Sequence, residues 1–149
     1  MAKRIETSIE VNASADCVWQ VLVDFPSYSR WNPFIKSVDG QATAGNRLTV
    51  RLQPPGGMAM TFRPRVLVAS PGRELRWIGR LLVPGLFDGE HRFVIERTGS
   101  DTCRLTQGET FTGILVGLFG KSLHATADGF DQMNQALKAR VEERKNAAA

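Results

Sequence analysis

Residues 87–111 read FDGEHRFVIERTGSDTCRLTQGETF and carry the strongest structural signal in the chain, because two alternating segments flank a short polar turn. Successive side chains of a β-strand point to opposite faces, so this alternation predicts strands with one buried face. The first segment places these residues on its inner face: Phe87, Gly89, His91, Phe93 and Ile95. The second segment contributes Cys103, Leu105, Gln107, Glu109 and Phe111. The stretch therefore predicts an antiparallel hairpin with a largely apolar inner face.

Three polar side chains interrupt that apolar face. A tight hairpin loop centred on residues 99–101 sets the register of the two strands. The expected opposing pairs are Ile95 with Leu105, Phe93 with Gln107, and His91 with Glu109. Buried polar groups need hydrogen-bond partners. The register therefore predicts that a histidine and a carboxylate meet inside the protein.

Length, composition and charge favour one globular domain without a nucleic-acid partner. The chain has 149 residues, of which 42% are hydrophobic, enough to bury a core. We expect a single domain over residues 1–145 and a frayed tail over residues 146–149. The net charge is +4, but the lysines and arginines are scattered and no basic run alternates with aromatic residues. Scattered cations of this kind indicate a solvated outer face of a sheet.

Cysteine usage and the first residues indicate a reducing compartment. Cys17 falls in a helical pattern and Cys103 on the inner face of a strand, so each is expected to be a buried free thiol. Residues 1–10 are charged and alternating, unlike a signal peptide, and no apolar run approaches the length of a membrane span. We therefore expect a cytoplasmic protein without stable membrane insertion.

The sequence motifs that resemble metal, phosphate or nucleophile sites are all incomplete. The two histidines, His91 and His124, have no closely spaced cysteine or second histidine, so neither a metal site nor a cofactor is predicted. Residues 120–122 are similar to the end of a phosphate-binding loop, but the glycine that such a loop requires falls at Leu115. Ser122 and His124 lack an orienting acid.

The rest of the chain predicts more strands and three helices. A first strand ends at Val11, Ser14 offers a helix N-cap, and a second short helix begins at Pro26. Strands are expected near residues 35–39, 47–52 and 58–69, and then in a returning strand that places Leu75, Trp77 and Leu81 on its inner face. After Gly113 the apolar spacing changes to three and four, which predicts a long final helix. The predicted fold class is α+β, with about six or seven antiparallel strands curved around that helix.

Two stretches of the chain resemble the START-like superfamily, also called SRPBCC. They are residues 9–19, IEVNASADCVW, and residues 24–34, DFPSYSRWNPF, and the final helix extends the likeness over nearly the whole chain. The superfamily includes polyketide cyclase and dehydrase-like proteins, lipid-transfer domains and birch-allergen-like proteins. The resemblance implies a helix-grip fold around an internal cavity for apolar or amphipathic small molecules. Some members are enzymes, many only bind ligands and one branch activates a chaperone, so the resemblance leaves the function open.

His91 and Glu109 are the candidate chemical groups. As an acid/base pair they would be catalytic residues that move a proton on a substrate. As ligand contacts they would orient a bound molecule by hydrogen bonding. As a purely structural pair they would satisfy each other, with Gln107 completing the network. All three interpretations fit the sequence.

Large apolar side chains around these polar groups are expected to form the wall of the cavity. The predicted ligand-binding residues are Trp31, Phe34, Met60, Phe62, Trp77, Phe87, His91, Phe93, Gln107, Glu109, Phe111, Phe130 and Met133. Each apolar member is also compatible with ordinary core packing.

Three functions follow from these patterns. The first is intracellular binding or transport of a small hydrophobic or amphipathic molecule. The second is a polyketide cyclase or dehydratase-like reaction that uses the His91 and Glu109 pair. The third is a protein-partner-binding domain with a filled cavity. Charged outer strand positions argue against uncontrolled edge association and are compatible with a monomer or a weak homodimer.

Overall fold

The computed structural model describes residues 2–80 and 83–148, and for residues 119–122 the backbone alone. Leu81, which we expected on an inner face, lies outside the described residues. Within them the strands are β1 (Ala2–Val11), β2 (Ile35–Asp39), β3 (Thr49–Leu52), β4 (Met60–Phe62), β5 (Arg65–Ser70), β6 (Glu74–Arg80), β7 (Asp88–Gly99) and β8 (Thr102–Thr112). The helices are α1 (Ala15–Val23), α2 (Tyr28–Trp31) and α3 (Gly120–Ala148), with 3-10 turns at Phe25–Ser27 and Val116–Phe119.

The described strands form two antiparallel sheets that curve around α3. The larger sheet has the order β1-β8-β7-β6-β5, and the smaller has the order β2-β3-β4. The two short helices follow β1, and α3 packs on β1, β8 and α1. This is the predicted α+β helix-grip fold.

The β7–β8 hairpin has the predicted register. His91 lies opposite Glu109, and the pairs of Phe93 with Gln107 and Ile95 with Leu105 are formed as well. A one-residue slip would have moved every inner side chain to the outer face, so the apolar alternation excludes it, and the tight turn excludes a slip of two residues. An irregularity between Arg97 and Gly99 precedes the turn.

The strand that we predicted over residues 58–69 is divided at Pro64 into two strands. β4 pairs with β3 in the smaller sheet, whereas β5 pairs with β6 in the larger one. Proline has no N–H to donate to a neighbouring strand and is found at edges and irregular positions. Its carbonyl accepts a hydrogen bond from the Leu48 N–H at 2.8 Å, next to the bridge between Arg47 and Arg65. The division brings the described strands to eight, above the six or seven predicted.

Side-chain hydrogen bonds mark the start of α1 and the turn that follows α2. The Ser14 hydroxyl accepts from the Cys17 N–H at 3.2 Å, which confirms Ser14 as the N-cap of α1. After α2, the Asn32 side-chain oxygen accepts from the backbone N–H groups of Phe34 and Ile35 at 3.0 and 2.8 Å. These bonds redirect the chain from α2 into β2 and bring Phe34 under α3.

Helix α3 buries one stripe of side chains against the sheet. Four apolar residues of this stripe are at most 1% exposed: Phe130, Met133, Leu137 and Val141. The helix continues through Ala148, so residues 146–148 are helical where we expected a frayed tail.

Gly129 on α3 allows the Phe34 ring to pack directly on the helix. A Cβ atom at this position would lie 2.4 Å from Cδ1 of Phe34, far inside van der Waals contact. The Phe34 ring also meets the Phe130 ring edge to face, with centroids 5.6 Å apart.

We predict that Gly129→Ala lowers the free energy of unfolding by roughly 1–3 kcal/mol, because overpacking outweighs the better helix propensity of alanine. Chemical denaturation measures the change. Gly117→Ala is the control, since among the described residues no atom beyond its chain neighbours lies within 4 Å of a Cβ atom built there. A Gly129→Ala protein as stable as the wild type would contradict the packing argument.

Candidate functional site

A cavity of about 290 Å³ lies between the inner faces of the sheets and α3. Its lining side chains come from both sheets, from α3 and from the segments that connect them, and most are apolar. The volume is near the lower end of the roughly 300–1,000 Å³ typical of small-molecule sites.

Nine of the thirteen predicted site residues line this cavity. They are Phe34, Met60, Phe62, Trp77, Phe87, His91, Glu109, Phe111 and Phe130. Each strand of the hairpin contributes a polar group, and the aromatic residues surround the pair.

The other four predicted residues do not line the cavity. Phe93 and Met133 are fully buried in the core, Phe93 behind the rings of Trp77 and His91. Trp31 packs on Tyr28, with ring centroids 5.2 Å apart. Gln107 is fully buried behind His91 and contacts it from the side away from the cavity wall.

Sequence reasoning missed nine lining residues. They are Ile35, Val50, Leu52, Pro64, Gly79, Arg80, Gly89, Leu123 and Thr126. Two of these nine residues, Gly79 and Gly89, could have indicated the cavity from the sequence. Both occupy inward strand positions, where a glycine leaves the space of a side chain empty.

Gly79 and Gly89 lie opposite each other on β6 and β7, and both face the cavity. A Cβ atom on Gly79 would have only Pro64 Cβ nearby, at 3.9 Å. A Cβ atom on Gly89 would lie 3.3 Å from Oε2 of Glu109. The two missing side chains therefore leave space in front of the carboxylate.

His91 bridges Glu109 and Gln107. Its Nδ1 lies 3.0 Å from Oε1 of Glu109, and its Nε2 lies 3.0 Å from Oε1 of Gln107. The His91 side chain is 4% exposed and that of Glu109 is 17% exposed. The imidazole is thus held at both nitrogens, while the carboxylate reaches the cavity.

Aromatic rings fix the plane of the His91 imidazole. Trp77, its register partner on β6, stacks on it with centroids 5.2 Å apart and planes inclined by 20°. The Phe130 ring meets it edge to face at 5.0 Å. Rotation of the imidazole is therefore opposed by packing as well as by its two hydrogen bonds.

The polar network continues from Gln107 to the helix and to β1. The Gln107 Nε2 donates to Oδ1 of Asn134 at 2.8 Å, and the Asn134 Nδ2 donates to the Thr7 hydroxyl at 2.7 Å. Asn134 is 1% exposed. It was missed from the sequence, although it stands four residues after Phe130 on the apolar stripe of α3.

Glu109 presents one carboxylate oxygen to the cavity. Oε1 is held by His91, and among the described residues Oε2 has no hydrogen-bond partner. Arg80 also lines the cavity, with Nε 3.9 Å from Oδ1 of Asp88. The site can accept a hydrogen bond at Glu109 and otherwise offers mainly apolar contact.

The two thiols take no part in this arrangement. Cys17 and Cys103 are both free thiols, as expected, but only Cys103 is buried as predicted, whereas Cys17 is half-buried. Burial raises the pKa of the Cys103 thiol to about 11, so it is protonated at neutral pH and a poor nucleophile. Among residues 2–80 and 83–148, no three histidine, cysteine or acidic side chains converge as they do around a metal ion.

A family model described as "Polyketide cyclase / dehydrase and lipid transport" matches residues 2–142. The chain belongs to this family. No curated protein sequence matches the chain.

Solved structures of the START superfamily share the fold. The Zhui aromatase/cyclase from Streptomyces sp. R1128 has a TM-score of 0.81 at 19% identity, with 100% of this chain and 99% of that chain covered. A START superfamily protein from Mycobacterium smegmatis has a TM-score of 0.74 at 21% identity, covering 94% and 97%. Norcoclaurine synthase from Thalictrum flavum, solved with dopamine and hydroxybenzaldehyde, has a TM-score of 0.73 at 16% identity, covering 96% and 88%.

In the part of the chain that the structure describes, no helix combines the length and the apolar character needed to cross a bilayer.

We predict that Gln107→Leu destabilises the fold, because His91 and Asn134 each lose a buried hydrogen-bond partner. The expected loss is about 1–3 kcal/mol for each polar group left unpaired. Thermal or chemical denaturation measures it. Gln135→Leu makes the same chemical change at an exposed position of α3 and is expected to be nearly neutral. Equal stabilities of the two variants would contradict this role of Gln107.

Proposed function

We propose that this protein binds a small, mostly apolar and preferably aromatic molecule in its internal cavity, oriented by a hydrogen bond to Glu109. The observation that carries the proposal is the cavity itself, which has an apolar wall with one partly accessible carboxylate. Ligand sites typically combine a large apolar wall with a few fixed polar groups.

The chemistry of the wall supports an aromatic ligand. Phenylalanine and tryptophan rings approach the cavity from β6, β8 and α3, and ring contacts prefer offset or edge-to-face geometry. A flat ring system can meet several of these faces at once. The family description, which names cyclase, dehydrase and lipid transport, is consistent with an apolar or aromatic ligand.

The proposal is tested by filling the cavity without touching its polar pair. Gly79→Val places a branched side chain in the open space on β6, and valine suits a strand better than glycine does. We expect stability to be kept or improved while calorimetric binding of 2-naphthol, an aromatic probe, is lost.

Gly117→Ala, whose added methyl group meets no atom of the described residues beyond its chain neighbours, serves as the control that should bind normally. Unchanged 2-naphthol affinity in Gly79→Val would place binding outside the cavity. Absence of binding by the wild type to 2-naphthol and to a panel of larger aromatic compounds would reject the proposal.

The orienting role of Glu109 makes a separate prediction. Glu109→Leu should weaken 2-naphthol binding by roughly 5- to 150-fold, since a hydrogen bond of about 1–3 kcal/mol is removed. The affinity for 2-methoxynaphthalene, which has no hydroxyl to donate, should change little. Equal losses for both compounds would indicate that Glu109 matters for packing rather than for hydrogen bonding.

A second candidate function is a cyclase or dehydratase-like reaction. The 3.0 Å contact between His91 and Glu109 at the cavity favours it, because a carboxylate backed by an imidazole can take up and return a proton. Mass spectrometry of the natively purified protein identifies a retained compound, and turnover of that compound by the wild type but not by Glu109→Gln would support catalysis.

The partner-binding alternative was predicted together with a filled interior. The described residues surround a cavity of about 290 Å³ instead, which favours ligand binding over that alternative.

A further inference from the structure

The first strand, β1, forms a long open edge of the larger sheet. Edge strands are usually protected from further pairing by short length, by proline or by bulges. Among the described edges, β4 has three residues, β2 and β5 each contain an irregularity, and Pro64 precedes β5. β1 has ten residues and pairs with β8 without interruption from Ala2 to Val11. It is therefore the described edge that is best suited to accept another strand.

The backbone groups of alternate β1 residues point away from β8. The Glu10 carbonyl accepts from the Lys138 Nζ at 2.9 Å and so points off the sheet. The Ile5 carbonyl points toward β8, since it lies 3.0 Å from the Cβ position of Gly108. Backbone groups of successive strand residues point to opposite sides. The residues that share the outward direction of Glu10 are Arg4, Glu6 and Ser8. Among the described residues their backbone groups have no hydrogen-bond partner.

Helix α3 covers only the far end of this edge. Lys138 reaches the Glu10 carbonyl, but two turns earlier Phe130 lies against the His91 ring on β7. The helix thus crosses the sheet diagonally and moves away from β1 toward its own start. Positions 2–4, 6 and 8 of β1 are exposed. The edge over residues 2–8 is therefore accessible to a second strand.

The charges of β1 favour a second copy of the same strand as the occupant. A two-fold contact places two copies of one strand antiparallel, so each residue has a fixed partner. Side chains of opposite charge stabilise such a pair, whereas like charges destabilise it. Arg4 and Glu6 are outward neighbours, with side chains 63% and 43% exposed. Arg4 and Arg92 both bind Oε2 of Glu6, and among the described residues Oε1 has no hydrogen-bond partner.

One register of the two strands fits these charges. Pairing Arg4 with Glu6 of the second copy brings opposite charges together on both sides of the two-fold axis, and Ile5 then meets Ile5 of the second copy. A slip of two residues in either direction sets Arg4 against Arg4 or Glu6 against Glu6. A larger slip would pair Arg4 with Glu10, whose carbonyl is already bound by Lys138.

We propose that the outward edge of β1 pairs with β1 of a second copy around a two-fold axis, with Arg4 of each chain beside Glu6 of the other. The larger sheet then continues from one copy into the next. No described residue of β1 lines the cavity, so the contact leaves the cavity accessible and is independent of the proposed function.

Sedimentation velocity over a series of protein concentrations measures this association. We expect a reversible dimer of the wild type. Arg4→Glu sets acid against acid at both symmetry-related positions and should raise the dimer dissociation constant by roughly tenfold or more. Arg51→Glu makes the same change at an exposed position of β3 and should leave the constant unchanged. A wild type that stays monomeric at its highest soluble concentration would leave the edge to a strand of another protein and overturn the proposal. Equal dimerisation of Arg4→Glu and the wild type would overturn it as well.

A mixture of two variants tests the register. Glu6→Lys alone should also dissociate, because cations then oppose each other. Mixed with Arg4→Glu, it should form a heterodimer in which every opposing pair has opposite charges, and native mass spectrometry identifies that species by its mass. Absence of the heterodimer, with both variants folded by circular dichroism, would overturn the register.

Ser8→Pro provides a test that does not depend on the contact of Glu6 with Arg92. It removes an outward N–H group and leaves the pairing of β1 with β8 intact, since proline is tolerated where an edge strand faces solvent. We expect a folded protein with a weakened dimer. An unchanged dimer in Ser8→Pro would overturn pairing through this edge.

Discussion

The buried amide of Gln107 joins the sheet to the long helix, and the geometry of the site depends on it. Its oxygen faces His91 on the neighbouring strand, and its nitrogen faces Asn134 and the Phe130 carbonyl on α3. A buried amide left without partners would cost about 1–3 kcal/mol, so sheet and helix are constrained to the arrangement that satisfies it. Apolar packing brings α3 onto the sheet, and this amide specifies where along the sheet it rests.

The cavity exists because the same helix is held away from part of the sheet. Around Gln107 the core is closed, and Phe93 and Met133 are fully buried there. Toward β6 and the first residues of β7, Gly79 and Gly89 contribute no side chains, and Phe34 separates α3 from the smaller sheet by packing on Gly129. The sheet and α3 are thus closed around the hydrogen-bonded Gln107 and separated where the two glycines leave space. The cavity lies in that space, and its mostly apolar wall contains one polar pair, His91 and Glu109.

The sequence predicted the hairpin register and the meeting of His91 with Glu109, because the period of two decides which residues face inward and the tight loop at residues 99–101 decides which of them are paired. It did not predict which inner residues face open space. Phe93 and Phe111 share one face of the hairpin, yet of these two only Phe111 lines the cavity, and Phe93 is buried in the core. Whether an inner residue meets α3 or open space depends on the volumes of side chains that are distant in sequence. A proline inside a predicted strand, such as Pro64, indicates an edge or a bulge, but it does not indicate that the two halves join different sheets. Asn134 was visible as a polar residue on an apolar stripe, but its partner Thr7 lies 127 positions away along the chain.

The hydrogen-bond network also bears on the choice between binding and turnover. A general base has to give up the proton that it receives, and Nε2 of His91 is already hydrogen-bonded to the buried amide of Gln107, whose nitrogen is bound in turn to Asn134. Amide side chains hold protons in place and do not pass them along readily, so the chain behind His91 orients the imidazole without serving as a proton path. Any proton taken up by Glu109 must leave by way of the cavity, through the ligand or through water beside it. Any catalysis at this site is therefore restricted to reactions in which the proton passes to the bound molecule or to water in the cavity.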